Sequence, residues 1–423
     1  MLNASMLVGC GAKTGLDVPD APIDAAVDAP PDAGIPCIEI PLDGGLIELP
    51  LETEVQVGRA DVVLAIDTTA SMGQEIEQIK NNIRNVIAPA LQRRIEDSQI
   101  AVTTFADFPE GNCGSADEGD RPFRLVLPVS DDLVRVQTAM DSVELNNGSD
   151  EPESQVEALY QIATGEGLGS YVDPSLGCST GGLGYPCFRP DALPVVLMFS
   201  DAPFHNGTSG ENRYSDFDAC PAVAGVAHTY DDAREVLQAA GIRVIGLYSG
   251  PGGGQGLRDL QVTAMDTNAL DASGGPLVFD IGRNGERLSE SVISAVETLA
   301  DVVEFETIDT LLVDPDRTDA VDPRDFVARV VPVRAEPMDG VRELDVAAGA
   351  FLGVRSGTTV VFALELRNDV VVPGVGPQRF VLEVVFRGDR RTRIRSVLVE
   401  IVVPGADGSG CEGMTGMVVP IPG

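Results

Sequence analysis

Asp61-Val-Val-Leu-Ala-Ile-Asp67-Thr-Thr-Ala-Ser71 is the stretch that decides the fold. From Asp61 to Ile66 the run is short, apolar and unbroken, the pattern of a strand covered on both faces. It then delivers a carboxylate and several hydroxyls. From Gln74 to Ile95 the apolar residues Ile76, Ile79, Ile83, Val86, Ile87 and Leu91 form a helical stripe. Pro89 should kink that helix, because its ring clashes with the preceding turn.

The same strand–helix alternation continues outward. Ile100 to Phe105 and Phe123 to Val129 read as strands, Leu133 to Val143 and Pro152 to Ala163 as helices. Pro194-Val-Val-Leu-Met-Phe199 is a second fully apolar strand. Tyr230 to Ala240 is a helix ended by Gly241, followed by a strand over Ile242 to Tyr248. A short strand over Leu277 to Asp280 and a helix over Leu288 to Val303 close the series. Residues 60–304 therefore predict an α/β domain with a doubly wound, mostly parallel sheet.

After Glu304 the runs Val327 to Val333, Thr358 to Leu366, Phe380 to Phe386 and Ser396 to Val403 are β-rich and separated by Gly, Pro and Asp. Residues 305–405 predict a β-sandwich, with 406–423 as a tail. Two earlier runs, Ile38 to Ile40 and Leu46 to Leu51, are too short to fold alone. Residues 37–59 are expected to join the later sandwich, which would make the α/β domain an insertion; a free hairpin packed on the α/β domain is the alternative.

Composition narrows the function. The net charge of −37 argues against a nucleic-acid partner, which needs clustered Lys and Arg against the phosphates. There is no Trp, which removes the best stacking platform. No stretch is long and apolar enough to span a bilayer.

The beginning of the sequence adds an address. Leu7-Val8-Gly9-Cys10 resembles the lipobox of bacterial lipoproteins, with Cys10 as the lipidated residue and 1–10 as the remnant of its signal. It lacks the Lys/Arg-bearing start and full apolar segment of such signals. Residues 11–36 hold an Asp/Pro/Ala run, Asp17 to Asp32, which cannot bury a core and should act as an extended tether. The resemblance implies a bacterial cell envelope location, with contact to the membrane only through a lipid anchor.

Six further cysteines suggest disulfides in an exported protein. Cys178 and Cys187 flank a Gly-rich loop and are expected to pair. Cys37 and Cys411 bracket the folded region and could staple its ends, leaving Cys113 and Cys220. Six cysteines allow fifteen connectivities, so spacing alone fixes none of them.

In open α/β sheets ligands bind beyond the carboxyl ends of the strands. Three strand ends here deliver an aspartate: Asp67, Asp107 and Asp201. Carboxylates converging on one edge repel unless a cation sits among them. The donors offered are carboxylates and hydroxyls, which suit Mg²⁺ or Ca²⁺.

Asp67-x-Thr69-x-Ser71 resembles the D-x-S/T-x-S signature of von Willebrand factor type A domains, at the end of the first strand and before the first helix. Asp150-Glu-Pro-Glu153, Ser200-Asp-Ala-Pro-Phe-His205 and Asp107-Phe-Pro109 resemble segments of the integrin β-subunit I-like domain. A fainter similarity to the integrin hybrid domain matches the expected sandwich.

The resemblance implies a metal-ion-dependent adhesion site. Asp67, Thr69, Ser71 and Glu153 would ring Mg²⁺, with Asp201 acting directly or through water. Asp107, Asp150, the Pro152 carbonyl and Glu153 would ring a neighbouring Ca²⁺. The family's Asn near that second site is Gly148 here, with Asn146 or Asn147 as the nearest substitutes. The family's third site falls on Gln74 and Glu75, which do not match its acidic pair. The specificity loop falls on Glu110 to Arg121 and differs from the family's.

Each residue also has a plainer reading. Asp67 could be a helix cap, and Glu153 a first-turn acid. His205 and His228 read as structural, since neither has triad spacing. The run Asp314 to Asp319 reads as an inter-strand turn.

These features together predict a non-enzymatic, metal-dependent adhesion module that grips a carboxylate on a protein partner. A hydrolase using the same cation, or a purely structural envelope protein, are the rival expectations.

Overall fold

The computed structural model describes residues 35–411, apart from 180, 217–219, 221 and 319. Cys10 and the whole Asp/Pro/Ala run, Asp17 to Asp32, lie outside the described residues. In chain order the elements begin with β1 (Cys37–Glu39), β2 (Ile47–Glu54) and β3 (Arg59–Asp67). There follow α1 (Gly73–Asn82), α2 (Ala88–Arg94), β4 (Asp97–Phe105), β5 (Arg124–Ser130), α3 (Leu133–Asp141) and α4 (Gln155–Thr164). Next are β6 (Leu193–Ser200), α5 (Tyr230–Ala240), β7 (Arg243–Tyr248), α6 (Gln255–Asp266), β8 (Val278–Asp280) and α7 (Leu288–Val302). The rest is strand: β9 (Glu304–Val313), β10 (Val327–Glu336), β11 (Val341–Asp345), β12 (Ala350–Arg355), β13 (Thr359–Leu366), β14 (Gln378–Gly388) and β15 (Thr392–Val403).

The α/β part is a six-stranded sheet in the order β5-β4-β3-β6-β7-β8. All neighbours are parallel except β5, which runs antiparallel to β4 at one edge. β3 and β6 are buried along almost their whole length, as their unbroken apolar runs require. After β3 the chain winds outward to β4 and β5, then returns to the other side of β3 and continues through β6, β7 and β8. The strand order therefore reverses between β3 and β6. A crevice at the carboxyl ends of those two strands follows from the topology.

Two sheets make up the remainder. One is six-stranded, β1-β15-β14-β9-β12-β11, and the other three-stranded, β10-β13-β2. The early strands do not pair with each other: β1 runs parallel to β15, and β2 antiparallel to β13. Phe351 of one sheet meets Phe362 of the other edge-on at 5.0 Å, and Phe386 lies 5.8 Å from Phe362. Each ring is fully buried.

Several elements differ from the sequence reading. The helix expected over 74–95 is two helices joined by a wide π turn, Ile83–Ile87. Ile87 and Ala88 keep helical dihedrals, so Pro89 stands in a continuous helical run; its missing N–H and its ring disturb the turn before it, and the helix widens there. α6 was not anticipated, because its buried face carries Asp259 and Thr263 and so breaks the apolar stripe. β9, β11 and β12 lie outside the β-rich runs read from the sequence; in the first half of β9, charged residues alternate with apolar ones.

All six cysteines of the described region are bonded: Cys37–Cys411, Cys113–Cys220 and Cys178–Cys187. These bonds fit an oxidising, extracellular compartment. Among the described residues no helix is long and apolar enough to cross a membrane.

Candidate metal centre

Asp67 is the last residue of β3 and is fully buried. The chain turns sharply after it, so that Oδ1 accepts from the Thr69 backbone N–H at 3.0 Å and from the Thr69 hydroxyl at 2.7 Å. Oδ2 accepts from Ser200 Oγ at 2.8 Å, which ties the end of β3 to the end of β6. Thr69 Oγ1 lies 3.4 Å from Ser71 Oγ, and Ser71 Oγ donates to Asp201 Oδ1 at 3.1 Å. A continuous chain of oxygens thus runs across the crevice. Asp67 and Thr69 form its buried floor, and Ser71 is exposed at its mouth.

Glu153 arrives from a different quarter. Its backbone forms a parallel bridge to Phe204, with Glu153 N–H donating to Pro203 and His205 N–H donating to Glu153. That pairing holds the start of α4 against the loop after β6. The Glu153 side chain is 3% exposed, and its Oε2 has no hydrogen-bond partner. A Cβ at Gly148 would lie 3.0 Å from Glu153 Oε1 and 3.1 Å from Thr69 Cγ2, so a glycine at φ +66° is what lets these two approach.

The electrostatics record the crowding. Burial pushes the Asp67 carboxyl up to about 7, with the Asp201 charge adding to it and the Thr69 and Ser200 hydrogen bonds opposing. Burial also raises Glu153 well above its ordinary range, and Asp67, Asp107 and Asp150 reinforce the shift. Asp201 is raised by burial and held back by Ser71. A buried carboxylate oxygen with no donor, surrounded by further carboxylates, is what a cation would relieve. Asp67, Thr69, Ser71, Asp201 and Glu153 offer oxygen only, the donor type of Mg²⁺ or Ca²⁺.

The second cluster lies beyond Glu153. Asp107 is fully buried, and its Oδ1 is occupied by the Phe108 N–H at 2.7 Å and the Tyr214 hydroxyl at 2.8 Å. Its Oδ2 faces His205 Nε2 at 3.1 Å, and Asp150 Oδ2 faces the same nitrogen at 3.2 Å. The sequence assigns His205 only a structural place; the fold puts its ring among the second group of acids. Burial pushes Asp107 up to about 6, against the pull of His205. For His205 burial acts downward, but Asp107 and Asp150 outweigh it and push the imidazole up to about 9.

Pro152 is buried beside Glu153. Asn146 donates its side-chain amide to the Gly119 carbonyl at 3.2 Å.

The other candidates take structural places. His228 donates its backbone N–H to Glu157, has Nδ1 2.9 Å from the same carboxylate, and stacks on Tyr160 at 3.5 Å. Glu75 is buried with Oε2 unpartnered, its carboxyl raised by burial, while Gln74 is exposed. The loop from Glu110 to Arg121 is pinned by Cys113–Cys220 and by Asp120, which accepts from Ser115 N–H at 2.7 Å. Asp314 and Asp316 accept from the backbone two residues on, as turn residues do. Ser200 was not foreseen as part of the floor. Its signal was present, since it directly precedes Asp201 at a strand end.

Beside Asp201 a cleft of about 530 Å³ opens between Pro152, Pro203, Tyr248, Pro251 and Gln255. It gives the exposed end of the oxygen chain a concave neighbour in which a ligand could lie.

Comparison with known proteins adds little to this geometry. No family model matches the chain, and no curated protein matches it. Among solved structures it is similar to "von Willebrand factor type A from Catenulispora acidiphila", at 11% sequence identity and a TM-score of 0.36, over 88% of this chain and 73% of that one.

Proposed function

We propose that this chain is a von Willebrand factor type A-like binding module, set into a β-sandwich, that uses a divalent cation to grip a carboxylate on a protein partner. The observation that carries the reading is the oxygen chain Asp67–Thr69–Ser71–Asp201, buried at one end and exposed at the other. Asp67, Thr69, Ser71, Glu153 and Asp201 would hold Mg²⁺. When bound, the ion supplies a positive centre that attracts a further anionic oxygen. Two of the five donors are neutral hydroxyls, so the shell is less anionic than an all-carboxylate one and resists a further anionic oxygen less.

The chain's own residues do the positioning. Ser200 and the Thr69 backbone fix the Asp67 carboxylate in one orientation. Asp259 accepts from Phe204 N–H at 3.2 Å and from the Thr208 hydroxyl at 2.8 Å, which steadies the loop that carries Asp201. The rival hydrolase reading needs a base with access to water at the crevice mouth. Two surplus carboxylates act on Asp201: Glu75 is buried, and Glu151 lines the cleft beside Asp201 and is exposed, the one placed for such a role.

An array of short peptides, half carrying Asp or Glu, tests the proposal. The metal-loaded protein should capture acidic peptides selectively, and chelator should release them. Equal capture in chelator, or by an Asp67→Ala variant, would overturn it.

The same reading places the module on a bacterial envelope, tethered through Cys10. Mass spectrometry of the native protein should find a diacyl or triacyl cysteine at that position. A mature protein that retains residues upstream of Cys10 sinks this part.

A further inference from the structure

The second acidic cluster contains an imidazole, and calcium does not seek nitrogen ligands. His205 is held from both sides. Its ring stacks on Tyr214 at 4.1 Å, and its Nδ1 lies 2.9 Å from the Asn212 carbonyl. A carbonyl only accepts, so Nδ1 carries the proton and Nε2 is the nitrogen turned to Asp107 and Asp150. A histidine whose far N–H is anchored on a backbone carbonyl is the usual arrangement for a metal ligand. Asp107 has the matching support: two donors fix its Oδ1 and aim Oδ2 at the cluster.

The cluster is too rich in acceptors for a proton alone. Asp150 Oδ1 and Oε2 of the neighbouring Glu153 are buried without a hydrogen-bond donor, while Asp150 Oδ2 faces His205 Nε2 at 3.2 Å. A second proton on His205 could serve the one or two oxygens nearest Nε2. It does not reach the others. The ligand atoms of Asp107, Asp150 and His205 lie within 4.8 Å of one another. The 3.1 and 3.2 Å separations match the edge of a tetrahedron, about 3.3 Å, around an ion with zinc-like bond lengths. Cys113 sulfur also borders the group, but its bond to Cys220 leaves no thiolate to offer.

We propose that Asp107, Asp150 and His205 form a zinc site, with His205 Nε2 as a ligand and Glu153 or water completing the shell. The site adjoins the oxygen-only cluster at Asp67, with Glu153 between the two, and its three named ligands do not depend on the adhesion reading. It replaces the calcium expected from sequence with a borderline metal that tolerates mixed nitrogen and oxygen donors.

The test uses the full chain with its disulfides intact, stripped by chelator and titrated with Zn²⁺ or Ca²⁺ at pH 7.5. The sequence has two histidines, so long-range proton–nitrogen spectra resolve both rings. A His228→Gln variant assigns them. Zinc should move the His205 Nε2 resonance to its metal-bound position while Nδ1 stays protonated. It should bind there at least tenfold more tightly than Ca²⁺. Asp67→Ala should leave this signal intact, and His205→Ala should weaken zinc binding by tenfold or more. A His205 ring that is unchanged at saturating Zn²⁺, or a site from which equimolar Ca²⁺ displaces Zn²⁺, overturns the proposal. The spectral readout is made on the wild-type chain, so it stands even if His205→Ala does not fold.

Discussion

Ser71 Oγ donates to Asp201 Oδ1 across 3.1 Å, joining residues 130 positions apart in sequence. One sits just beyond β3 and the other just beyond β6, the two strands between which the sheet reverses its order. The contact closes the mouth of the acidic crevice with a single hydrogen bond between partly solvated groups. Such a bond is worth about 1 kcal/mol, so its loss should not unfold the chain. Ser71→Ala should keep the wild-type melting temperature within about 2 °C and weaken Mg²⁺ binding at least tenfold, read by calorimetric titration. Unchanged Mg²⁺ affinity would exclude Ser71 from the site.

The raised carboxyls make stability depend on pH in a fixed direction. Asp67 has a folded value of about 7 against an ordinary value of 3.8. Between those values the folded state holds more protons than the unfolded one, so stability falls as pH rises. Metal-free protein should therefore be more stable at pH 5 than at pH 7.5. Added Mg²⁺ should stabilise more at pH 7.5 than at pH 5, with proton release on binding. At a hundredfold excess over Kd the gain should be about 2.7 kcal/mol. Melting curves at both pH values, with and without Mg²⁺, measure each sign. A metal-free melting temperature that climbs from pH 5 to 7.5 would contradict the account.

Glu153 should show the trade between stability and binding. Its Oε2 has no donor, so Glu153→Gln removes a charge without breaking a bond to that atom. Metal-free stability at pH 8 should rise by roughly 1 kcal/mol, since an unsatisfied buried polar group costs about 1–3 kcal/mol. Mg²⁺ affinity should fall in the same variant. Chemical denaturation and metal titration test the pair of effects, and a destabilised variant with normal affinity would refute it.

The amino end of β3 presents a different ion pair. Asp61 is fully buried and is met by Arg189, whose Nε lies 2.7 Å from Oδ1 and whose backbone N–H donates to Oδ2 at 2.6 Å. Arg189 also reaches Asp97 at 2.5 Å. Arg189→Met should destabilise by about 3–5 kcal/mol, because it strands a buried carboxylate. Asp61→Asn in the same chain should restore part of that loss. A double-mutant cycle in denaturant gives both numbers.

The bond between Cys178 and Cys187 closes a loop of nine positions. Replacing both cysteines by serine should cost about 2–3 kcal/mol by the chain-entropy argument. The loss should leave metal binding unchanged, since neither cysteine lies in either cluster. Coupled loss of Mg²⁺ affinity would show that the loop supports the site.

What the sequence determined by itself was whatever is encoded locally. The unbroken apolar runs at Asp61 to Ile66 and Pro194 to Phe199 specify strands buried on both faces, because no other setting accepts such a run without polar relief. An aspartate following each run then falls at the carboxyl edge of the sheet. The alternating pattern of β9 is equally local, but its charged outward positions weaken the apolar signal of a strand. Tertiary structure alone decided what met those aspartates. Glu153 reaches the crevice through a bridge to Phe204, a contact between segments with no local signature. His205 joins Asp107 and Asp150 because Tyr214 and the Asn212 carbonyl hold its ring from a loop of their own. Local propensity reads one segment at a time. The charge environment of a side chain is a sum over every segment that packs against it, and so the identity of the second cluster's imidazole emerged only once the chain was folded.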